Sequence, residues 1–224
     1  MIPWKLLGEA QTPGNGALLR LYQHDTEFSM KADNDELMNS RVHGSEDALA
    51  TLACQKITNQ SKARVLIGGL GMGYTLRSAL DELGAHAEVD VAEIVPEVVD
   101  WNREFLGHLA GSPLDDGRVR IREGDVVQMI KTARHDYNAI LLDVDNGPQA
   151  LTSGKNNWLY SISGLETAAA ALRPKGVLAI WASGPDAGFA KRLGQAGFYV
   201  DEVKVRGRAV GKGAHHIVWV AQRI

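Results

Sequence analysis

Residues 63–81 read A-R-V-L-I-G-G-L-G-M-G-Y-T-L-R-S-A-L-D, and this stretch decides the fold. Val65, Leu66 and Ile67 form a short apolar run, as a buried strand requires, and the run ends in Gly68, Gly69, Gly71 and Gly73. Beyond the glycines, Leu76, Ala79, Leu80 and Leu83 recur at helical spacing. Glycines at a strand-to-helix corner let the chain turn tightly and let a ligand approach the main chain. Free N–H groups at the start of the helix favour an anionic ligand group. A second strand ends at Glu93, 20 residues after Gly73, where a carboxylate can accept hydrogen bonds from both hydroxyls of a ribose. The order strand, turn, helix, strand, acid therefore reads as a nucleoside-binding corner. An NAD fingerprint needs a small residue where Tyr74 stands, and tyrosine there would hinder close helix–strand packing. The spacing G-x-G-x-G suits an adenosyl-sulfonium ligand, which brings no pyrophosphate.

Outward from this corner, strands and helices alternate, which argues for a parallel sheet covered on both faces. Strands are expected at Arg64–Gly68, Ala87–Ala92, Arg118–Arg122, Ala139–Leu142 and Val177–Trp181. Pro96 opens the helix after the second strand. Ser163 and Glu166 read as the capping box of a helix around Gly164–Leu172, and another helix covers about Asp186–Ala196. The last two strands, Tyr199–Val205 and Ile217–Ala221, are separated only by a Gly-rich basic loop, so they should pair antiparallel. The predicted fold is α/β: a Rossmann-like methyltransferase core whose mostly parallel seven-stranded sheet ends in an antiparallel hairpin. Residues 1–40 are set apart as a small N-terminal β region, too small to stand alone, with residues 41–224 as the adenosyl-ligand-binding domain. In that region Ala17–Gln23 and Glu27–Lys31 read as a hairpin, and Asp33-Asn34-Asp35-Glu36 as an acidic turn. A helix over Ser45–Thr58 has Ser45 as its N-cap and Leu49, Leu52, Ala53 and Ile57 on its apolar face.

Composition narrows the function. The net charge of −3 gives no bulk attraction to nucleic acid or membrane, and Arg206, Arg208 and Lys212 are too few to make a nucleic-acid footprint. No apolar run reaches membrane-spanning length, and the opening M-I-P-W-K-L-L-G-E is too short and polar for a signal peptide. A cytoplasmic protein is expected. Cys54, the single cysteine, sits among apolar neighbours and reads as a small core residue. Adjacent His215 and His216 would face opposite sides of a strand, so joint ligation is not expected, and no metal site is assigned.

In open α/β sheets ligands bind beyond the carboxyl ends of the strands. Those ends carry Gly68–Gly73, Glu93, Asp125 and Asp143 to Asp145. Asp125 could cap the helix that starts at Val126, or accept the adenine amino group. Asp143 follows the apolar run Ala139–Leu142 and so ends a buried strand, where a carboxylate faces the ligand. His43 and Glu46 lie at i, i+3 spacing and line either the acceptor entrance or a solvated helix start.

This constellation resembles the spermidine/spermine synthase family. The likeness covers about residues 17–222 and rests on G-G-L-G-M-G at 68–73, V-D-V-A-E-I-V-P-E-V-V at 89–99, R-V-R-I-R-E-G-D at 118–125 and Y-N-A-I-L-L-D-V-D-N-G-P at 137–148. The resemblance implies that Glu93 holds the ribose, that Asp125 holds the adenine, and that Asp143 and Asp145 lie by the reacting sulfonium. Gly68, Gly69, Gly71, Gly73, Glu93, Asp125 and Asp143 are thus the expected cofactor-binding residues. Asp145 is the expected base or amine-orienting carboxylate, with Asp143 second. The cofactor is S-adenosylmethionine or its decarboxylated form, and the partner is a small-molecule acceptor such as an amine; a homodimer is open. The family carries an aspartate, associated with the donor's aminopropyl amine, where this chain has Gly71. Without that acid, the loop N–H groups suit the carboxylate of ordinary S-adenosylmethionine, so methyl transfer is slightly favoured over authentic aminopropyl transfer. A non-catalytic nucleoside-binding homologue is the third reading.

Overall fold

The computed structural model describes residues 3–14, 16–144, 158–186, 188–207 and 215–224. The core is a seven-stranded sheet in the order β10-β11-β9-β8-β5-β6-β7. Its strands are β5 (Arg64–Gly68), β6 (Glu88–Glu93), β7 (Val119–Glu123), β8 (Tyr137–Leu142), β9 (Leu172–Ala182), β10 (Phe198–Arg206) and β11 (His215–Arg223). Strands β5 to β9 run parallel, and β11 pairs antiparallel with both β9 and β10. The expected antiparallel ending is therefore present, with the last strand inserted between its predecessor and the parallel set.

Alternation along each strand divides the core in two. Val65 and Ile67 of β5, Ala139 and Leu141 of β8, and Val177 and Ala179 of β9 face one side. Leu66, Ile140, Leu142, Leu178 and Ile180 face the other. Burial on both faces is why these strands are continuous apolar runs rather than alternating ones. Helices α1 (Gly44–Cys54), α2 (Tyr74–Glu82) and α3 (Pro96–Trp101) supply Leu49, Leu76 and Val99 to the first face. Helices α4 (Val126–Thr132), α5 (Ile162–Ala171) and α6 (Phe189–Gln195) supply Ile130, Leu165 and Phe189 to the second. Cys54 is fully buried, and burial pushes its thiol up to about 12, an inert core position.

The N-terminal region is larger than the hairpin expected of it. Strands β1 (Lys5–Gln11), β2 (Leu18–His24), β3 (Glu27–Ala32) and β4 (Asp35–Asn39) form a four-stranded antiparallel sheet. Asp35 and Glu36 belong to β4, and the turn falls at Asp33, which takes φ +52°. The acidic run hid this strand: it carries few β-forming residues, and pairing with β3 holds it in place. Leu21, Phe28 and Met30 of this sheet share a core with Val98 and Trp101.

Two helix starts also differ from expectation. His43, not Ser45, is the N-cap of α1, and Ser45 lies inside the helix, bonded to Glu46. Helix α5 is capped by Ser161, whose hydroxyl accepts from the Gly164 N–H at 3.2 Å, two residues before the expected Ser163.

Candidate active site

Strand β5 lies between β8 on one side and β6 on the other, so the direction of chain progression reverses at the carboxyl ends of β5 and β8. Such a switch point leaves a crevice, because successive loops lead away from each other. The glycine turn follows β5 and Asp143 follows β8. Gly69 has φ +86°, and a Cβ there would stand 2.6 Å from the Asp143 carbonyl oxygen. Only glycine permits both the turn and this approach.

A cavity of about 280 Å³ opens beyond these strand ends. Gly69, Gly71, Glu93, Asp125 and Asp143 all line it. Gly68 instead packs its Cα against Val126 and Leu142, and Gly73 is the N-cap of α2. Asp145, together with Gly147 and Pro148, lies outside the described residues, as do Arg208 and Lys212.

Glu93 is buried, and its carboxylate accepts from the N–H of Leu70 and of Val95, each at 2.9 Å. It thereby ties the glycine turn to the end of β6. Burial raises its pKa, and the backbone N–H groups pull it back down. Asp125 caps α4 by accepting from the Val127 N–H at 2.8 Å, the capping role expected of it, and it also lines the cavity.

Asp143 is held by a residue the sequence did not single out. Thr75, in the first turn of α2, donates its hydroxyl to Asp143 at 2.7 Å. Burial raises the Asp143 pKa against that hydrogen bond. Glu46 of α1 lines the same cavity, and burial together with the Asp143 charge pushes its carboxyl up to about 7. His43 turns elsewhere: its Nδ1 lies 2.7 Å from Asp47, and its ring stacks on Tyr74 at 4.0 Å. Of the His43–Glu46 pair, only Glu46 lines the cavity. Tyr74 does not obstruct helix–strand packing, because its hydroxyl reaches out to the Ser40 carbonyl at 3.2 Å. A small residue there would lose both the stacking and that tie.

Apart from Thr12, the side chains of the rest of the wall are apolar. Leu19, Met30, Leu37 and Met38 come from the N-terminal sheet, and Trp181 from the end of β9. Met38 covers Gly71 so closely that a Cβ there would stand 2.8 Å from its terminal methyl. Nothing local in the sequence marks these residues, since they reach the cavity only through the packing of two sheets. His215 and His216 occupy successive positions of β11, with His215 exposed and the His216 ring against Trp181 at 4.9 Å. Among the described residues no three His, Cys, Asp or Glu side chains gather as a metal set, and no helix is long and apolar enough to cross a membrane.

The spermine/spermidine synthase domain model matches residues 43–186. The chain belongs to this family. A polyamine aminopropyltransferase from Prochlorococcus marinus (strain MIT 9301) is 30% identical over 125 residues, which are 56% of this chain and 42% of that relative. One from Sulfolobus acidocaldarius is 28% identical over 129 residues, or 58% of this chain and 41% of the relative. The match thus spans about two fifths of these curated relatives. Among solved structures, a spermidine synthase in complex with the transition-state analogue AdoDATO aligns over 98% of this chain and 73% of its own, with TM-score 0.75 and 16% identity. The spermidine synthase from Thermotoga maritima gives TM-score 0.74.

These relatives overturn the preference for methyl transfer, because the family members matched here are aminopropyltransferases. That preference rests on the missing acid at residue 71 and on the N–H groups of the same loop. In this member of the family the charge around that point comes from elsewhere in the chain, since Glu46 and Asp143 line the same cavity as Gly71.

Proposed function

We propose that this protein is an aminopropyltransferase that uses decarboxylated S-adenosylmethionine as donor and an aliphatic amine as acceptor. The observation that carries the reading is the convergence of the glycine turn, Glu93, Asp125 and the Glu46–Asp143 acid pair on one cavity at the switch point. An adenosyl group needs the first three, and two acids in a largely apolar enclosure suit a cationic ligand. In this reading Glu93 accepts from the ribose hydroxyls, Asp125 from the adenine amino group, and the backbone of Gly69 and Gly71 lies along the donor. Gly68 and Gly73 shape the turn.

The reaction is an in-line displacement. The acceptor nitrogen attacks the carbon next to the sulfonium, a C–N bond forms as the C–S bond breaks, and the electron pair stays on sulfur. Methylthioadenosine leaves, and the nitrogen gives up a proton. The amine must be neutral to attack, so a carboxylate beside it assists by taking that proton. Asp145 and Asp143 are the candidates. The apolar wall of Leu19, Met30 and Trp181 excludes water and accommodates methylene groups.

The test is to incubate the purified protein with decarboxylated S-adenosylmethionine and a panel of aliphatic diamines and to follow methylthioadenosine. Amine-dependent release is expected. No release with any amine, from protein shown to be folded, refutes the proposal.

A further inference from the structure

The donor's distinguishing charge is the primary ammonium at the end of its aminopropyl chain. Among the described residues four acids line the cavity, and three of them are tied to backbone N–H groups or to another element. Glu93 holds two backbone N–H groups, Asp125 caps α4, and Asp143 accepts the Thr75 hydroxyl. Glu46 accepts from the neighbouring Ser45 hydroxyl at 2.6 Å, and among the described residues the cation acting on it is His43, which is itself tied to Asp47.

Position supports the same residue. A narrower recess shares Met38, Glu46, Gly71 and Asp143 with the main cavity, and neither Glu93 nor Asp125 reaches it. A ligand with its ribose at Glu93 and its base at Asp125 has only its sulfonium arm left to enter that recess. The glycine turn carries no acid of its own, and a side chain on Gly71 would have to push aside the end of Met38 at a φ of +53°. The anion has to come from another element, and the amino end of α1 brings Glu46 to the place.

Resting on the aminopropyl reading above, we infer that Glu46 holds the primary ammonium of the donor's aminopropyl chain and so selects decarboxylated S-adenosylmethionine over the form that keeps its carboxylate. A bound ammonium would give the partly buried Glu46 carboxylate a direct counter-charge, whereas a carboxylate on the same tail would be repelled by Glu46 and Asp143.

The experiment titrates wild type and E46Q with decarboxylated S-adenosylmethionine, S-adenosylmethionine and methylthioadenosine, which lacks the aminopropyl arm. Wild type should prefer the decarboxylated form. E46Q should lose about tenfold or more in affinity for it, as expected for a charge-assisted hydrogen bond, while methylthioadenosine stays within about twofold. Methylthioadenosine binding also reports that the variant is folded. If E46Q keeps the wild-type preference, the Glu46 assignment fails while the aminopropyl reading stands. An equal loss for methylthioadenosine would make Glu46 a structural residue and overturn the assignment as well. An unchanged donor affinity with a raised KM for the amine would move Glu46 to the acceptor side. If wild type itself shows no preference for the decarboxylated donor, the aminopropyl reading fails first.

Discussion

Replacing Glu46 by glutamine should flatten the pH dependence of stability in the ligand-free protein. The Glu46 carboxyl is raised from its ordinary value of 4.5 to about 7, by burial first and by the Asp143 charge second. Between those two values the folded protein holds a proton that the unfolded chain has released. Stability therefore falls as pH rises through this window, the reverse of the usual salt-bridged carboxylate. At about 1.4 kcal/mol per pH unit, the roughly two units of this window between pH 5 and pH 8 are equivalent to about 2–3 kcal/mol. Because Asp143 is raised as well, the loss belongs to the pair. Other groups titrate nearby. His43 is raised by its hydrogen bond to Asp47, so its contribution is also lost as pH rises. His215 and His216 are lowered and act in the opposite sense. His215 and His216 remain in the variant, whereas His43 is raised in part by Glu46, so the difference between wild type and E46Q reports Glu46 with its coupling to Asp143 and His43, both of the same sign. Urea unfolding at pH 5 and pH 8 measures it. The free energy of wild type should fall by about 2–3 kcal/mol more than that of E46Q. Equal slopes, or a wild type that gains on E46Q as pH rises, would refute the argument that Glu46 is ionised at a cost.

Glu93→Gln removes the charge that accepts from the turn and, in the proposed complex, from the ribose; methylthioadenosine affinity should fall about tenfold or more by calorimetry. Thr75→Val leaves Asp143 without its hydroxyl donor and should cost about 1–3 kcal/mol at pH 8, read from chemical unfolding, with a smaller loss at pH 5, where the acid pair is more protonated. Asp145→Asn should lower single-turnover rates by about a hundredfold or more while adenosyl-ligand affinity changes little, and an unchanged rate would transfer the base role to Asp143.

Features that depend on neighbouring residues are legible along the chain. The apolar runs mark β5, β6 and β8, the glycines mark the turn after β5, and Glu93, Asp125 and Asp143 fall at the ends of β6, β7 and β8, because a strand, its turn and its terminal residue are contiguous in the chain. Local chemistry also gave the last two strands, since a short connection forces antiparallel pairing. It did not give β4, whose acidic residues disfavour a strand until β3 pairs with it. It misjudged the start of α1, where Ser45 looked like the cap and His43 stands in that place.

Folding brings Glu46 beside Asp143, Met38 over Gly71 and Trp181 into the cavity lining. These contacts join residues widely separated along the chain, so no spacing rule could announce them. The error over the transferred group has the same origin. Glycine at residue 71 removes a charge from one loop, but a cavity responds to every carboxylate that faces it, whichever element carries it. The glycine corner is written in neighbouring residues, and packing of the N-terminal sheet and α1 against it sets the charge of the enclosure.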